Sequence, residues 1–368
     1  MSATPPPPFP ALSHERAGAI GLAPMEGVID ALTRALLTRH GGFDWSVTEF
    51  VRITDAVLPP RVFQRICPEI DGTRRTPSGV PVHLQLLGSR PDTLGENARV
   101  AAALGAEVID MNFGCPAKTV NRHDGGASLL RDPARVYRAV AGVQRALDGS
   151  GVPVTAKLRL GFEDKTLALE CARAAEEGGA ARLVVHARTR REGYRPPAHW
   201  AWVARIREQS GVPVVVNGDI WTLDAYHRAR EVSGCRDVML GRAALADPWL
   251  ARRIRHWQST GQTLAATTWP QRAATLSGYA DALDSDLEPR VVLSLLKQWL
   301  GIMRQQDATA DAHFQHLKRL KTLPAFLQGL EESVGDPVAP VRRHRRQGPD
   351  RQSVSRQQEG FSFKTGEL

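Results

Sequence analysis

The sequence predicts an α/β fold: a (β/α)8 TIM barrel followed by a small C-terminal helical domain. Eight short apolar runs alternate with helix-length segments between residues 19 and 240, which is the pattern of such barrels. Three of the runs open with the same four residues, Gly-Val-Pro-Val, at Gly79, Gly151 and Gly211. Beyond about Leu250 the apolar runs stop and only helical periodicity remains.

Each apolar run has the length of a strand and is bounded by polar or turn-forming residues. The predicted strands are 19–25, 45–51, 80–87, 108–111, 152–160, 182–186, 212–216 and 237–240. The predicted helices between them are 30–39, 91–104, 132–147, 165–177, 200–209 and 223–232. An open doubly wound sheet is the alternative fold. It normally carries a G-x-G-x-x-G turn after its first strand, where this chain has Ala23-Pro24-Met25-Glu26-Gly27.

Local composition divides the chain into four segments. Residues 1–16 are rich in proline and are predicted to form a disordered arm. Residues 17–254 form the predicted barrel, and residues 255–334 the helical domain, with helices at 270–284, 288–306 and 310–330. Residues 335–368 contain five consecutive basic residues, 342–346, and few large apolar ones, which predicts a disordered basic tail.

The overall composition indicates a globular protein with a basic surface. Of the 368 residues, 42% are hydrophobic, yet no apolar run is long enough to span a bilayer, so no membrane association is expected. The formal net charge of +9 suggests a polyanion partner such as nucleic acid, although charge that serves only solubility explains it equally well. The four cysteines form no metal-binding pair, which favours a reducing, cytoplasmic setting without a metal. We also expect a monomer, although no sequence feature decides this.

The stretch around Cys115 is the strongest candidate for chemistry. The apolar run 108–111 ends in Asn112-Phe113-Gly114-Cys115-Pro116, so Cys115 follows the carboxyl end of a strand. Barrels place their catalytic groups at that edge. A lone cysteine is more often a buried structural thiol, but the flanking Asn112, Gly114 and Pro116 indicate a functional loop.

Polar, charged or glycine residues follow the other predicted strands as well. They are Pro24-Met25-Glu26, 49–52, Gln85, Lys157, Arg159, His186, Arg188, Asn217-Gly218-Asp219 and Gly241-Arg242. For any one of them, a surface loop residue or a hydrogen-bonded buried group is the simpler explanation. Together, Gly218 and Gly241 follow the seventh and eighth strands, where barrels commonly bind phosphate. Lys157 could neutralise a ring that becomes anionic, as a reduced flavin does.

These segments resemble those of the tRNA-dihydrouridine synthases in order and spacing. The matching pieces are 23–28, 48–52, 85–88, 112–116, 157–161, 185–189, 217–220 and 241–243, and residues up to about Leu330 resemble the RNA-binding domain of that family. Residues 65–69, 75–79 and 118–121 resemble the bacterial branch that modifies uridine 16 in the D-loop. One departure is Arg122-His123-Asp124, which stands where many members have a small-residue or glycine-rich turn.

The resemblance implies FMN as cofactor, NADPH or NADH as reductant, tRNA as substrate and Cys115 as the catalytic proton donor. The residues implied to bind FMN are Pro24, Met25, Glu26, Gln85, Lys157, His186, Asn217, Gly218, Asp219, Gly241 and Arg242. Those implied to hold the uracil are Asn112, Arg159 and Tyr194, with Arg52 on the RNA-facing rim.

The predicted reaction is reduction of the C5=C6 bond of a D-loop uridine, at position 16. Hydride from reduced FMN adds at C6, and Cys115 protonates C5, which requires a thiol kept neutral by an apolar environment. In the helical domain Arg290, Lys297 and Arg304 are spaced by seven and share one helix face. We expect this face to contact tRNA phosphates; a solvated stripe of charge is the alternative.

Two other functions fit parts of the sequence. One is an FMN-dependent TIM-barrel dehydrogenase of a small enone or dihydropyrimidine, which would need neither the helical domain nor the basic charge. The other is a non-catalytic tRNA-binding protein, which would not need Cys115, Lys157 and Gln85 together. A flavin-coloured preparation separates the second from both enzymes, and analysis of the modified nucleosides in tRNA separates the two enzymes from each other.

Overall fold

A closed barrel of eight parallel strands forms the first part of the chain. The computed structural model describes residues 18–122, 124–283 and 287–335. The strands are β1 Ile20–Leu22, β2 Trp45–Arg52, β3 Val82–Leu87, β4 Ile109–Phe113, β5 Val154–Arg159, β6 Leu183–His186, β7 Val214–Asn217 and β8 Asp237–Leu240. They pair in sequence order, and β1 closes the barrel against β8. The predicted barrel and the order of all eight strands are confirmed.

Helices surround the barrel and continue beyond it. They are α1 Ala31–Arg39, α2 Pro60–Ile66, α3 Pro91–Ala103, α4 Lys118–Arg122, α5 Pro133–Ala146, α6 Ala168–Glu177, α7 Trp200–Gln209, α8 Leu223–Ser233, α9 Arg242–Ala246, α10 Leu250–Thr260, α11 Trp269–Ala282, α12 Pro289–Met303, α13 Ala308–Leu317 and α14 Leu323–Gly335. Short 3-10 turns lie at Pro68–Asp71 and Gly126–Arg131. The sequence prediction lacked α2, α4, α9 and α10, and the predicted boundary between residues 254 and 255 falls inside α10.

Polar caps define where several barrel helices begin. The side chains of Asp30, Asp132 and Thr222 accept hydrogen bonds from backbone N–H groups in the first turns of α1, α5 and α8. These bonds satisfy donors that have no partner inside the helix. At the other end of α8, Gly234 adopts a left-handed conformation with φ 64°, which stops the helix before β8.

Two apolar clusters hold the barrel together. The larger one lies between the strands and the surrounding helices. The smaller one includes Trp45, Val47, Val184 and Met239 and lies inside the barrel, since Val184 is the register neighbour of Lys157 and Met239 lines the cavity described below. The interior is therefore packed below a polar upper layer, as in other barrels of this kind.

One predicted helix is wrong: residues 310–330 form two helices, α13 and α14, and not one. Pro324 is the second residue of α14. A proline there lacks an N–H and would clash with the carbonyl four residues earlier in a continuous helix, so the chain must break before it. Pro324 is thus the residue from which this break could have been predicted in the sequence.

The helical domain packs directly on α9. The indole Nε1 of Trp299 on α12 donates to the carbonyl oxygen of Leu245 at 2.9 Å, and Arg272 on α11 donates to the carbonyl of Ala246. The predicted apolar face of α12 is buried at Val292, Leu296, Trp299, Leu300 and Met303, while Leu295 is half-buried. Ile302, the penultimate residue of α12, reaches the cavity at the barrel mouth. Within the described ranges, no helix has the length and apolarity needed to cross a bilayer.

Candidate active site

A cavity of about 470 Å³ opens at the carboxyl ends of the barrel strands. Its size is within the usual range for pockets that bind a cofactor or small molecule. The predicted site residues that line it are Pro24, Met25, Glu26, Gln85, Asn112, Cys115, Lys157, Arg159, His186, Tyr194, Asn217, Gly218, Asp219, Gly241 and Arg242. The strand-end positions identified in the sequence thus converge on one cavity.

The loop that carries Cys115 is fixed by the side chain of Asn112. The Asn112 Oδ1 atom accepts hydrogen bonds from the backbone N–H groups of Gly114 and Cys115, both at 2.9 Å. The Asn112 Nδ2 atom donates to Gln85 Oε1 at 2.8 Å. Asn112 was expected to hold the uracil. In the structure its amide oxygen also fixes the conformation of the loop that carries Cys115.

The thiol of Cys115 is partly buried in the cavity wall. Burial raises its pKa to about 11, and the Glu26 carboxylate acts in the same direction, whereas the Ala117 N–H, Arg159 and Arg52 act to lower it. Burial dominates because the loss of hydration costs the thiolate more free energy than its attraction to the two arginines returns. The group is therefore a neutral thiol at physiological pH, able to donate a proton and poorly suited to nucleophilic attack.

Glycine is required behind the thiol at position 126. Gly126 has φ 60°, and a Cβ atom built there would lie 3.0 Å from the Cβ atom of Cys115. Asp124, which precedes this turn, is also left-handed with φ 60° and accepts a hydrogen bond from Arg135 Nη1 at 2.8 Å. Asp124, the last residue of the segment that departs from the family pattern, is thus held by an ion pair, while Gly126 makes room for Cys115.

We expect Gly126→Ala to displace Cys115 as well as to strain the backbone. Gly149→Ala is the matched control, because Gly149 has φ 73° and nothing lies within 4 Å of a Cβ atom there. Both variants should lose about 1–2 kcal/mol of stability through the left-handed alanine. Only Gly126→Ala should change the rate at which iodoacetamide alkylates Cys115. Equal alkylation rates in the two variants would show that Cys115 tolerates the methyl group.

Lys157 supplies a positive charge at the floor of the cavity. Its Nζ atom donates to Asn217 Oδ1 at 3.2 Å, and Asn217 Nδ2 in turn donates to the carbonyl oxygen of Met239 at 2.8 Å. Burial, followed by repulsion from Arg159, lowers the pKa of Lys157 to about 8. Beside it, burial and neighbouring cations hold the pKa of His186 well below its usual range, so this imidazole is neutral.

Arg159 joins two loops at the mouth of the cavity. Its Nε atom donates to the carbonyl oxygen of Gly114 at 2.7 Å, and Nη1 donates to the carbonyls of Thr189 and Gly193 at 3.1 and 2.9 Å. The guanidinium also lies 5.3 Å from the centre of the Tyr194 ring, which is 41% exposed. Arg159 thus supports both the cysteine loop and the loop that presents Tyr194.

The two glycines predicted to bind phosphate line the opposite side of the cavity. Gly218 has φ 116°, and a Cβ atom there would lie 2.9 Å from His186 Cδ2. The Arg242 guanidinium is 4.5 Å from the Tyr194 ring and 5.2 Å from the Trp221 ring. An anion bound here would meet the Arg242 guanidinium beside two residues that have no side chain.

Asp219 has partners of its own within the protein. Its carboxylate pairs with Arg188 and accepts hydrogen bonds from the Ala198 N–H at 2.9 Å and the Trp221 indole at 3.3 Å. The side chain therefore holds the loop after β7 against the loop after β6. Arg188 and Trp221 line the cavity but were not among the predicted site residues. The position of Arg188 just after the sixth strand was the feature of the sequence that could have identified it as a cavity residue.

Four predicted tRNA-binding residues lie outside the cavity lining. Arg52 is exposed at the end of β2, and Arg290 is exposed near the start of α12. Lys297 is half-buried and donates to the carbonyl of Leu320, while Arg304 pairs with Asp311 at 2.9 Å. The three cations lie on α12 or, for Arg304, directly after its last residue, and two of them have partners within the helical domain.

Comparison with known proteins agrees with this geometry. Residues 21–334 match the family described as dihydrouridine synthase. This chain belongs to the dihydrouridine synthase family. The tRNA-dihydrouridine(16) synthase of Aquipseudomonas alcaligenes is 48% identical over 300 residues, which cover 82% of this chain and 95% of that protein. The protein of the same name from Ralstonia nicotianae is 46% identical over 323 residues, covering 87% and 98%.

Solved structures found by shape are more distant. A 2-naphthoyl-CoA reductase complex has a TM-score of 0.48 at 10% identity, over 64% of this chain and 50% of that one.

Dihydrouridine synthases are flavin-dependent oxidoreductases that act on a CH–CH bond. Across residues 18–122, 124–283 and 287–335, no group of three or more His, Cys, Asp or Glu side chains is placed to hold a metal ion.

Proposed function

We propose that this dihydrouridine synthase reduces the C5=C6 bond of uridine 16 in the tRNA D-loop, with FMN as bound cofactor, NADPH or NADH as reductant and Cys115 as proton donor. The observation that carries the proposal is a neutral thiol and a buried cation in the walls of one cavity at the barrel mouth. The names of the relatives support position 16.

The residues present are suited to FMN. The glycines at 218 and 241 and the Arg242 guanidinium line the cavity together and would hold the phosphate. Lys157, the Gln85 amide and the neutral His186 would contact the ring system. The chemistry that bound FMN supplies is hydride transfer to uracil C6, which places negative charge on C5 and O4.

Cys115 completes the reduction by giving its proton to C5. A thiol whose pKa is raised to about 11 by burial holds that proton until the carbon becomes basic. The thiolate that remains is stabilised by Arg159 and Arg52, which are the cations that act to lower this pKa. Cys115 would then regain a proton from water at the cavity mouth before the next turnover.

The target base must leave the tRNA stack to reach the cavity. Tyr194 is exposed at the mouth, and the Arg159 and Arg242 guanidiniums lie 5.3 and 4.5 Å from the centre of its ring. Its exposed ring would offer a stacking surface for an extruded pyrimidine. Arg52, exposed at the end of β2, would contact the tRNA around that base.

For the helical domain, we expect Arg290→Glu to weaken tRNA binding and flatten its dependence on salt. Arg290 is exposed and no intramolecular ion pair of the described residues includes it, so its charge is available to a phosphate. Lys297→Glu and Arg304→Glu should weaken binding too, but each also removes a contact within the domain. A salt titration of tRNA affinity, with melting temperatures for each variant, separates the two effects. An unchanged salt slope in Arg290→Glu would remove α12 from the tRNA interface.

The decisive test of the reaction uses purified protein, NADPH and an unmodified tRNA transcript. Dihydrouridine at position 16, detected by mass spectrometry of nuclease fragments, is the expected product. A transcript with cytidine at position 16 is the matched control and should give none. Product from free uracil but not from tRNA would favour a small-molecule dehydrogenase, and a colourless protein that binds tRNA would favour a non-catalytic function.

A further inference from the structure

A buried line of hydrogen bonds runs from the barrel interior to the cysteine loop. Gln85, Asp110 and Thr155 are neighbours in register on β3, β4 and β5. Gln85 Nε2 donates to Asp110 Oδ2 at 2.7 Å, and Thr155 Oγ1 donates to Asp110 Oδ1 at 2.5 Å. Asp110 is only 2% exposed. A buried carboxylate is costly without such donors, and here each oxygen has one.

The carboxylate determines which way two side-chain amides face. An amide has a donor end and an acceptor end of nearly the same shape, so its orientation depends on its partners. Asp110 Oδ2 accepts from the NH2 group of Gln85, which leaves Gln85 Oε1 facing Asn112. Asn112 then donates through Nδ2 and turns Oδ1 towards the N–H groups of Gly114 and Cys115. Reversal of either amide would place two donors against each other.

We propose that Asp110 is a positioning residue, which sets the location of the Cys115 sulfur through Gln85 and Asn112. Asp110 does not itself line the cavity, whereas Gln85, Asn112 and Cys115 do. The positioning follows from the hydrogen bonds alone, and its consequence for catalysis rests on the proposed function. The loop thus depends on an acceptor one layer below the cavity floor.

The test compares Asp110→Leu with Asp110→Asn in the purified flavoprotein. Leucine removes the acceptor that faces Gln85. Asparagine keeps it, because its carbonyl oxygen can accept from Gln85 while its NH2 donates to the Thr155 hydroxyl, which is able to accept. The rate of Cys115 alkylation by iodoacetamide, followed on its own peptide, is the readout. The other cysteines, Cys67, Cys171 and Cys235, are buried.

We expect Asp110→Leu to be alkylated at least about tenfold faster at pH 8. A loop that no longer holds Cys115 in the cavity wall exposes its thiol to water, and each one-unit fall in the pKa that burial raises to about 11 increases the thiolate fraction about tenfold. Asp110→Asn should remain near the wild-type rate. Asp237→Leu is the control, because Asp237 is a buried acceptor at the opposite end of the barrel, bonded to the Ala19 N–H at 2.9 Å. An unchanged rate in Asp110→Leu, or an equal increase in Asp110→Asn or Asp237→Leu, overturns the proposal.

A double-variant cycle shows whether Asp110 acts through Asn112. If it does, the double variant Asp110→Leu/Asn112→Leu will have the alkylation rate of Asn112→Leu alone, and additive effects overturn the proposal. Where Asp110→Leu gives no folded protein, Gln85→Leu breaks the same line of bonds and replaces it in the cycle. In the tRNA assay kcat should fall in Asp110→Leu and recover in Asp110→Asn, with KM for tRNA unchanged. A wild-type protein that forms no dihydrouridine would refute the proposed function, while the alkylation rates would still decide the positioning.

Discussion

Cys115→Ala is expected to abolish dihydrouridine formation while leaving the flavin bound and its reduction by NADPH intact. The variant removes the sulfur but not the contacts that shape the loop, which are the Asn112 bonds to the backbone and the Arg159 bond to the Gly114 carbonyl. A positioned general acid contributes about 10²–10⁴-fold to the rate, and few other groups in the cavity are neutral donors. Flavin absorbance, NADPH oxidation without tRNA and dihydrouridine yield are the three measurements.

Cys171→Ala is the matched control for this loss. Cys171 is 1% exposed on α6, far from the cavity lining, and burial raises the pKa of its thiol to about 12. Its removal should cost stability but leave turnover per folded molecule unchanged. If Cys115→Ala forms dihydrouridine as fast as the wild type, another group must deliver the proton. A loss of flavin in the variant would instead assign Cys115 a role in binding.

Lys157→Met is expected to make the flavin-free protein more stable at pH 7 and the enzyme far slower. Burial lowers the pKa of Lys157 to about 8. At about 1.4 kcal/mol for each pKa unit, the buried charge costs on the order of 3 kcal/mol. The lost hydrogen bond to Asn217 offsets about 1 kcal/mol of that gain. Under the proposed function, loss of this cation should slow uridine reduction on the order of 10²–10³-fold.

The stability that Lys157→Met gains over the wild type should depend on pH in a definite direction. Because the folded pKa lies below the unfolded one, the unfolded chain binds more protons between them, and wild-type stability rises with pH in that window. The advantage of Lys157→Met is therefore full below about pH 8 and declines as the pH rises towards 10.5. Urea unfolding at pH 7 and pH 10 measures it. Lys165→Met is the control, because Lys165 pairs with Glu192 at 2.8 Å near the surface and should yield no gain. A destabilised Lys157→Met at pH 7 would contradict the cost assigned to the buried charge.

The order of the strands and most of the cavity were accessible from the sequence for one physical reason. Parallel strands in a closed barrel all end on the same side, so residues that follow distant strands, such as Cys115 and Gly218, must meet there. The eight apolar runs and their polar ends therefore specify the barrel and the residues at its mouth without knowledge of any contact.

What the sequence did not reveal depends on partners that are far apart along the chain. Asp110 stands inside an apolar run, and only the structure shows that Gln85 and Thr155 meet its two oxygens. Lys297 has helical spacing that suggests an open charged face, yet a carbonyl at Leu320 receives its ammonium group. Spacing identifies the face of a helix, but not whether another segment of the same chain already covers it.

The seating of the helical domain on α9 limits how this enzyme can be divided. Leu245 and Ala246 are both 1% exposed, and their carbonyls receive donors from Trp299 and Arg272. A chain that ended after Thr260 would leave both carbonyls without these donors. The apolar surface of α9, the helix that begins at Arg242, would then be exposed to solvent. The barrel thus relies on the helical domain to cover α9, so we expect the two domains to unfold in a single transition and the barrel alone not to be stable.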